Sequence, residues 1–265
     1  MKVTSDSLRR EPTEVREANS LEGARVAITG GTSGLGLALV SELLRRGARV
    51  AFVARTPERV AQVAREHAGA HGVVGDVSKK EDIYPVALQI MGELGGLDVL
   101  VNNASDLGPV PLQMLSDTEC EDLERAFATN VLGPFRLTKA LMGALASSAR
   151  EGRGAVVLNV SSDAALNPYP GWGAYGASKA ALHHMTRIWD EEHAANGVRF
   201  LSFDPGDMDT PMHAAAVPDA DAATLKRPER AARELADEIA AALPARTAEA
   251  APQDSTEEEM EGATV

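Results

Sequence analysis

The chain has 265 residues, 44% of them hydrophobic, enough for one well-buried domain. Its 26 Lys and Arg against 39 Asp and Glu leave a formal charge of -13, the wrong sign for holding a nucleic-acid backbone or an anionic membrane surface, so neither is expected as a partner. The single cysteine, Cys120, cannot form an internal disulfide, no apolar run approaches the roughly 18 residues of a membrane span, and Met1–Ser20 lacks the apolar stretch of a secretory signal, which together read as a soluble cytoplasmic protein.

In chain order, residues 1–20 mix acidic and basic side chains with few apolar ones and read as a flexible extension ahead of a folded unit over 21–244. Short β-rich apolar runs then alternate with longer helical patterns. The strand candidates are Arg25–Thr29, Arg49–Ala54, Gly72–Val74, Val99–Val101, Ala155–Val160 and Val198–Phe203. Because these runs are nearly all apolar rather than alternating, they suit a parallel sheet covered on both faces, with the intervening helices as crossovers. The fold class is α/β: a single-domain, doubly wound parallel sheet of about six to seven strands. The pentapeptide Gly-Ala-Arg-Val-Ala at Gly23–Ala27 and Gly47–Ala51 marks two strand starts and no longer repeat. Ser116 and Glu119 have capping-box spacing, which makes Cys120 an ordinary helix residue. His183 and His184 read as helix-packing or interface residues. An amphipathic helix is expected from Pro228 to about Leu243. Residues 245–265 then carry six carboxylates against one Arg246, the composition of a disordered acidic tail.

Thr29-Gly30-Gly31-Thr32-Ser33-Gly34-Leu35-Gly36 follows an apolar strand and opens a helix with Leu35, Leu39, Val40, Leu43 and Leu44 at helical spacing. A strand-to-helix turn without side chains lets a pyrophosphate approach the backbone, and the helix N–H groups and dipole bind its charge. A dinucleotide is therefore the expected cofactor. Its type depends on the end of the second strand, where a carboxylate would select NAD by accepting from a ribose 2′-OH. That stretch is Val53-Ala54-Arg55-Thr56. Ala54 leaves room, and Arg55 offers a fork matched to a 2′-phosphate, so NADP(H) is expected over NAD(H). The plain alternative is that Arg55 is only a solvated side chain.

Tyr175 and Lys179 stand four apart, on neighbouring turns of one helix face. An ammonium beside a phenol favours the phenolate, so Lys179 is expected to lower the pKa of Tyr175. Ser162 lies thirteen residues before Tyr175, at the end of a strand candidate, where its hydroxyl can hold a substrate carbonyl. Ser161 competes for that role, and on the residues alone both stay open. No metal site is expected.

The Gly-x-x-x-Gly-x-Gly spacing from Gly30, together with Asn130, Ser162, Tyr175 and Lys179 in that order and a following Asp204-Pro205-Gly206, resembles the short-chain dehydrogenase/reductase family. The resemblance covers about Leu21 to Ala231 and implies a Rossmann-type sheet and hydride transfer between a nicotinamide and a carbonyl or alcohol. It implies that Gly30, Thr32, Ser33, Gly34, Leu35 and Gly36 cradle the cofactor, that Asp76 and Val77 meet the adenine, and that Asn103, Ala104, Pro205 and Gly206 line its channel. Ser105 replaces the family's usual glycine. Tyr175 becomes the general acid/base, while Lys179 both binds the nicotinamide ribose and poises Tyr175. Asn130 becomes the holder of a proton-relaying water.

Substrate choice in the family resides in loops near Asp106–Leu115, Asp163–Gly173 and Asp207–Leu225, which here name no substrate. The last combines Met208 and Met212 with Asp207, Asp209 and His213, so an apolar lid and a polar wall are both open. No Val-Asp-Gly-Gly-like segment follows Arg227, which favours a homodimer through the helices carrying Asn130 and Tyr175 over a tetramer. The alternative functions are a non-catalytic NADP(H)-sensing regulator of the same fold and an extended-type epimerase or dehydratase.

Overall fold

The computed structural model describes residues 21–244; the expected extension over 1–20 and acidic tail over 245–265 lie outside the described residues. The strands are β1 (Arg25–Thr29), β2 (Arg49–Ala54), β3 (Ala70–Val74), β4 (Val99–Asn102), β5 (Ala155–Val160) and β6 (Val198–Phe203). They form one sheet in the order β3-β2-β1-β4-β5-β6, every pair parallel. Ile28 pairs with Phe52 on one side and Val101 on the other, and Val101 with Leu158 in turn. Six strands are thus present among the described residues. Strand β3 begins at Ala70, ahead of the expected Gly72, because Ala70-His71 lacks the apolar signal yet pairs with Val50 and Ala51.

The period-two pleat sorts the apolar runs into two cores. Val26, Ile28, Val50, Phe52, Val99, Val101, Val156 and Leu158 face one side, against Leu39, Val40 and Leu43 of α1 (Gly34–Arg45) and Leu235 and Ile239 of α8 (Pro228–Ala242). Ala27, Ala51, Val53, Leu100 and Val157 face the other, against Ile83, Val86 and Ile90 of α3 (Lys80–Leu94) and Leu137, Leu141 and Leu145 of α5 (Gly133–Arg150). Each fully buried Leu, Ile or Val contributes roughly 1.5–3 kcal/mol relative to exposure. The short α2 (Pro57–Glu66) covers β2 and β3 with Val60 and Val63.

At the amino ends of the strands, fully buried Asp98 accepts from Arg25 Nη2 at 2.8 Å and Arg153 Nη2 at 2.9 Å, and from the Ser148 hydroxyl. Although burial opposes its charge, these partners hold its carboxyl well below the usual range. Under α6 (Gly173–His193), Asn102 Nδ2 donates to Asn159 Oδ1 at 2.8 Å, and Asn159 Nδ2 to Thr186 Oγ1 at 2.8 Å. His183 bonds Ser202 of β6 at 2.8 Å, the packing role expected of it.

The expected capping box does not form. Ser116 lies in a 3-10 turn, Leu115–Asp117, and its hydroxyl points to Asp117 at 3.4 Å. Helix α4 (Cys120–Phe127) starts after Glu119, whose side chain makes no cap bond, and Cys120 is an exposed first-turn residue. Among the described residues no helix is long and apolar enough to cross a membrane.

Candidate active site

A cleft of about 760 Å³ opens at the carboxyl ends of the strands. Its wall takes residues from the segment after every strand: Thr32–Gly36 after β1, Arg55 after β2, Asp76 and Val77 after β3, Asn103–Ser105 after β4, Ser161–Asp163 after β5 and Asp204–Met208 after β6. Strand order reverses between β1 and β4, and the crevice at such a switch point is where open α/β sheets bind ligands.

The glycine turn is shaped by close backbone contact. Gly30 has φ +76°, and its N–H donates to Val53 O at 2.8 Å. A Cβ on Gly36 would fall 2.1 Å from Gly30 O and 2.6 Å from Asn103 Nδ2, so only glycine lets α1 start there. Asn103 braces the turn by donating from Nδ2 to Thr29 O at 2.9 Å, and the N–H groups of Asn103 and Ala104 both reach Thr29 Oγ1 at 3.0 Å. Ser33 precedes α1 without a side-chain cap bond, and the first turn holds no acidic residue. The positive end of this helix therefore faces the cleft with its amides unspent by side chains, which fits a dinucleotide pyrophosphate.

At the other end of the turn, exposed Arg55 borders the cleft beside half-buried Ala54. Arg59, one helical turn on, donates to Thr32 O at 3.1 Å and brings a second guanidinium near the glycine turn. Asp76 lines the cleft, its Oδ1 accepting from Ser78 N at 3.0 Å and Ser78 Oγ at 2.7 Å.

Ser162, Tyr175 and Lys179 meet on one wall. Ser162 Oγ accepts from Ala164 N at 3.2 Å, which fixes the hydroxyl at the start of a 3-10 turn, Asp163–Ala165. Ser161 also borders the cleft, and the hydroxyls of Ser162 and Ser105 lie near the Tyr175 phenol, where they favour its ionised form. Tyr175 sits in the first turn of α6 with Trp172 edge-on at 5.8 Å. Lys179 is 2% exposed, donates to Val160 O at 2.7 Å, and lies 5.5 Å from the Tyr175 ring centre.

The electrostatics correct one expectation. Burial pushes the Tyr175 phenol up to about 12, and the carboxylates of Asp204 and Asp163 push the same way, against the opposing pull of the nearby Ser162 and Ser105 hydroxyls. Burial also pulls Lys179 down to about 8, with Asp204 opposing. Lys179 therefore does not lower the phenol here: both groups are desolvated together, and the ammonium spends a donor on Val160 O.

Asn130 is fully buried behind the wall, in a π-helical turn (Ala128–Leu132) between α4 and α5; its neighbour Thr129 borders the cleft instead. Its amide donates to Asp106 O and to Ser178 Oγ, both at 2.8 Å, and its oxygen accepts from Asp106 N at 2.8 Å and Ser105 Oγ at 3.1 Å. Four bonds exhaust that side chain. It ties the loop after β4, Ser105 included, to Ser178 of α6.

Sequence reasoning missed Tyr169 and Trp172, which form the aromatic wall, and Thr210, whose methyl covers Gly34. Tyr169 donates to Asp163 Oδ2 at 2.7 Å. Aromatic residues in an otherwise unpatterned loop carry no periodic signal, so only their place after β5 pointed to them. The Asp207–Leu225 loop holds a short helix, α7 (Pro211–Ala216), started by Thr210 accepting from His213 N at 3.2 Å. Met208, Met212 and His213 all face the cleft. Among the described residues no His, Cys, Asp and Glu cluster could hold a metal ion.

Known proteins share this architecture. The chain is 35% identical over 195 residues to 2-(R)-hydroxypropyl-CoM dehydrogenase of Xanthobacter autotrophicus, covering 71% of this chain and 76% of that protein. It is 31% identical over 214 residues to general stress protein 39 of Bacillus subtilis, covering 78% and 71%. Among solved structures it resembles a 3-ketoacyl-(acyl-carrier-protein) reductase from Brucella melitensis complexed with NADH, with TM-score 0.76, 29% identity and 82% and 90% coverage. It also resembles a short chain dehydrogenase from Shigella flexneri complexed with NADP, with TM-score 0.75, 25% identity and 84% and 93% coverage. With the short chain dehydrogenase family pattern matching residues 24–221 and relatives of this kind on either side, the chain belongs to the short chain dehydrogenase family and is an oxidoreductase acting between CH-OH and C=O groups.

Proposed function

We propose that this oxidoreductase uses NADP(H) and moves the substrate proton through Tyr175. The observation that carries the reading is the convergence of Ser162, Tyr175 and Lys179 on the cleft that the unspent amino end of α1 enters. When bound, the nicotinamide supplies or accepts the hydride. With a phenol near 12, Tyr175 holds its proton at neutral pH, the state required to protonate a carbonyl oxygen during reduction. Ser162, on the same wall as that phenol, donates to the same oxygen and orients it. Lys179 stays charged below its value of about 8 and lines the same cleft 5.5 Å from the centre of the Tyr175 ring, where it would hold the nicotinamide ribose. Asn130 acts through its neighbours, holding Ser105 and α6 in register.

Solved relatives hold NADH in one case and NADP in the other, so the preference rests on the end of β2. Arg55 beside Ala54 supports NADP(H), because no carboxylate there repels a 2′-phosphate. Titration of NADPH and NADH by nicotinamide fluorescence tests this. Tighter NADPH binding that Arg55→Ala reduces about tenfold supports it; equal use of NADH overturns it.

A homodimer through α5 and α6 is part of the same proposal. Leu132, Phe135 and Ile188 are each more than a third exposed, and Phe135 stacks on Trp189 at 5.6 Å, giving an apolar face of the kind that second copies cover. A monomer mass by light scattering at micromolar concentration contradicts it. The lone exposed Cys120 suits a reducing cytoplasm.

A further inference from the structure

The loop that walls the substrate side of the cleft is held only lightly by burial: Met208 packs against the main core and Ala216 against the cluster around Tyr175, each only partly buried. From Gly206 through Arg230 no residue is buried, yet Met208, Thr210, Met212, His213, Val217 and Leu225 all border the cleft. A segment without fully buried anchors opens easily unless polar ties close it.

Such ties converge on Lys226. Its backbone closes the neck of the loop, with Lys226 N donating to Asp207 O at 3.0 Å and Asp209 N donating to Lys226 O at 3.0 Å, a single parallel bridge. Its ammonium donates to Pro205 O at 2.8 Å, on the near side of the same neck, and to Glu234 Oε2 at 2.7 Å on α8. Arg230 Nε donates to the other oxygen of Glu234 at 3.1 Å and fixes that carboxylate. Helix α8 is in turn packed on α1, whose amino end is the glycine turn, and Arg46 joins the two by donating to Asp237 at 2.8 Å. One side chain therefore connects both ends of the substrate loop to the body that carries the cofactor cradle. Gly206, with φ +73°, lies at this neck, and a Cβ there would make only ordinary contact with Lys226 Nζ at 3.7 Å.

We infer that Lys226 is a positioning residue that clamps the substrate loop shut by tying its neck to Glu234 of α8. The inference rests on the reading that this loop is the substrate wall. Lys226 touches no reacting atom; it sets how long the wall stays in place.

Hydrogen exchange on the full chain without added ligand tests the clamp, because it needs no substrate. Lys226→Met is expected to speed exchange over 207–225 about tenfold while leaving the sheet strands unchanged. Glu234→Gln, which keeps an acceptor but loses the charge, is expected to give a smaller effect at the same residues, and Lys226→Arg to restore most of the protection. For a carbonyl that wild type reduces, Lys226→Met is expected to raise the substrate KM about tenfold and the NADPH Kd less. Unchanged exchange over 207–225 overturns the clamp, as does an acceleration shared equally by the sheet, which would mark Lys226 as a general stabiliser. Failure of wild type to bind NADPH would count against the proposed cofactor and leave the exchange result to decide the clamp.

Discussion

Lys179 Nζ lies 5.5 Å from the centre of the Tyr175 ring and gives a 2.7 Å hydrogen bond to Val160 O, so the two side chains share one desolvated wall rather than forming a direct ion pair. Burial moves them in opposite directions, the phenol up to about 12 and the ammonium down to about 8. Over neutral pH the pair is phenol plus ammonium, which carries the proton that carbonyl reduction consumes.

A pH dependence follows with a definite sign. Below about 8 Lys179 is charged; above it the ammonium is lost while Tyr175 stays protonated. The kcat/KM for carbonyl reduction is therefore expected to fall as pH rises through about 8, and Lys179→Arg, which cannot deprotonate, should remove that limb from whatever activity remains. A profile flat to pH 10 contradicts the assignment.

The cradle makes a second prediction. Gly36→Ala puts a methyl 2.1 Å from Gly30 O, against backbone that cannot yield without displacing the turn. Cofactor Kd should rise about tenfold or more, with the cost concentrated in binding because the turn is the pyrophosphate site. Isothermal titration with NADPH measures it, and wild-type affinity would show that the turn does not hold the pyrophosphate.

Far from the cleft, Asp98 anchors the amino ends of β1 and β4 through Arg25 and Arg153. Asp98→Asn is expected to cost roughly 2–4 kcal/mol, less than a wholly buried charge would lose because the Arg153 side chain is 34% exposed. The folded-state pKa lies below the unfolded value, so the contribution is complete above about pH 4 and declines as pH falls below it. Urea unfolding at pH 7 and pH 3 should show the gap between variant and wild type shrinking in acid; an unchanged gap removes the ionised carboxylate as its cause.

Much of this was legible in the residues. Nearly continuous apolar runs such as Ala155–Val160 can only be buried on both faces, and β5 is buried at all six positions. The glycine spacing and the Tyr175–Lys179 pair, each placed by a strand or helix pattern, led to the same cleft. What stayed hidden depends on distant residues meeting. The Ser105 hydroxyl is held at the cleft because Asn130, in a π-helical turn, holds the loop after β4. The Tyr175–Lys179 spacing reveals proximity but not the desolvation that raises the phenol. Ser116 and Glu119 have the pattern of a cap, yet the intervening 3-10 turn redirects the serine to Asp117.

The central claim, that Tyr175 moves the substrate proton, is tested most directly by Tyr175→Phe in single-turnover reduction with pre-bound NADPH and a carbonyl that wild type accepts. The variant keeps the buried ring beside Trp172 and removes only the hydroxyl, so NADPH binding should be retained while hydride transfer slows by about 100-fold or more. Retained binding with near-wild-type hydride transfer would contradict the account.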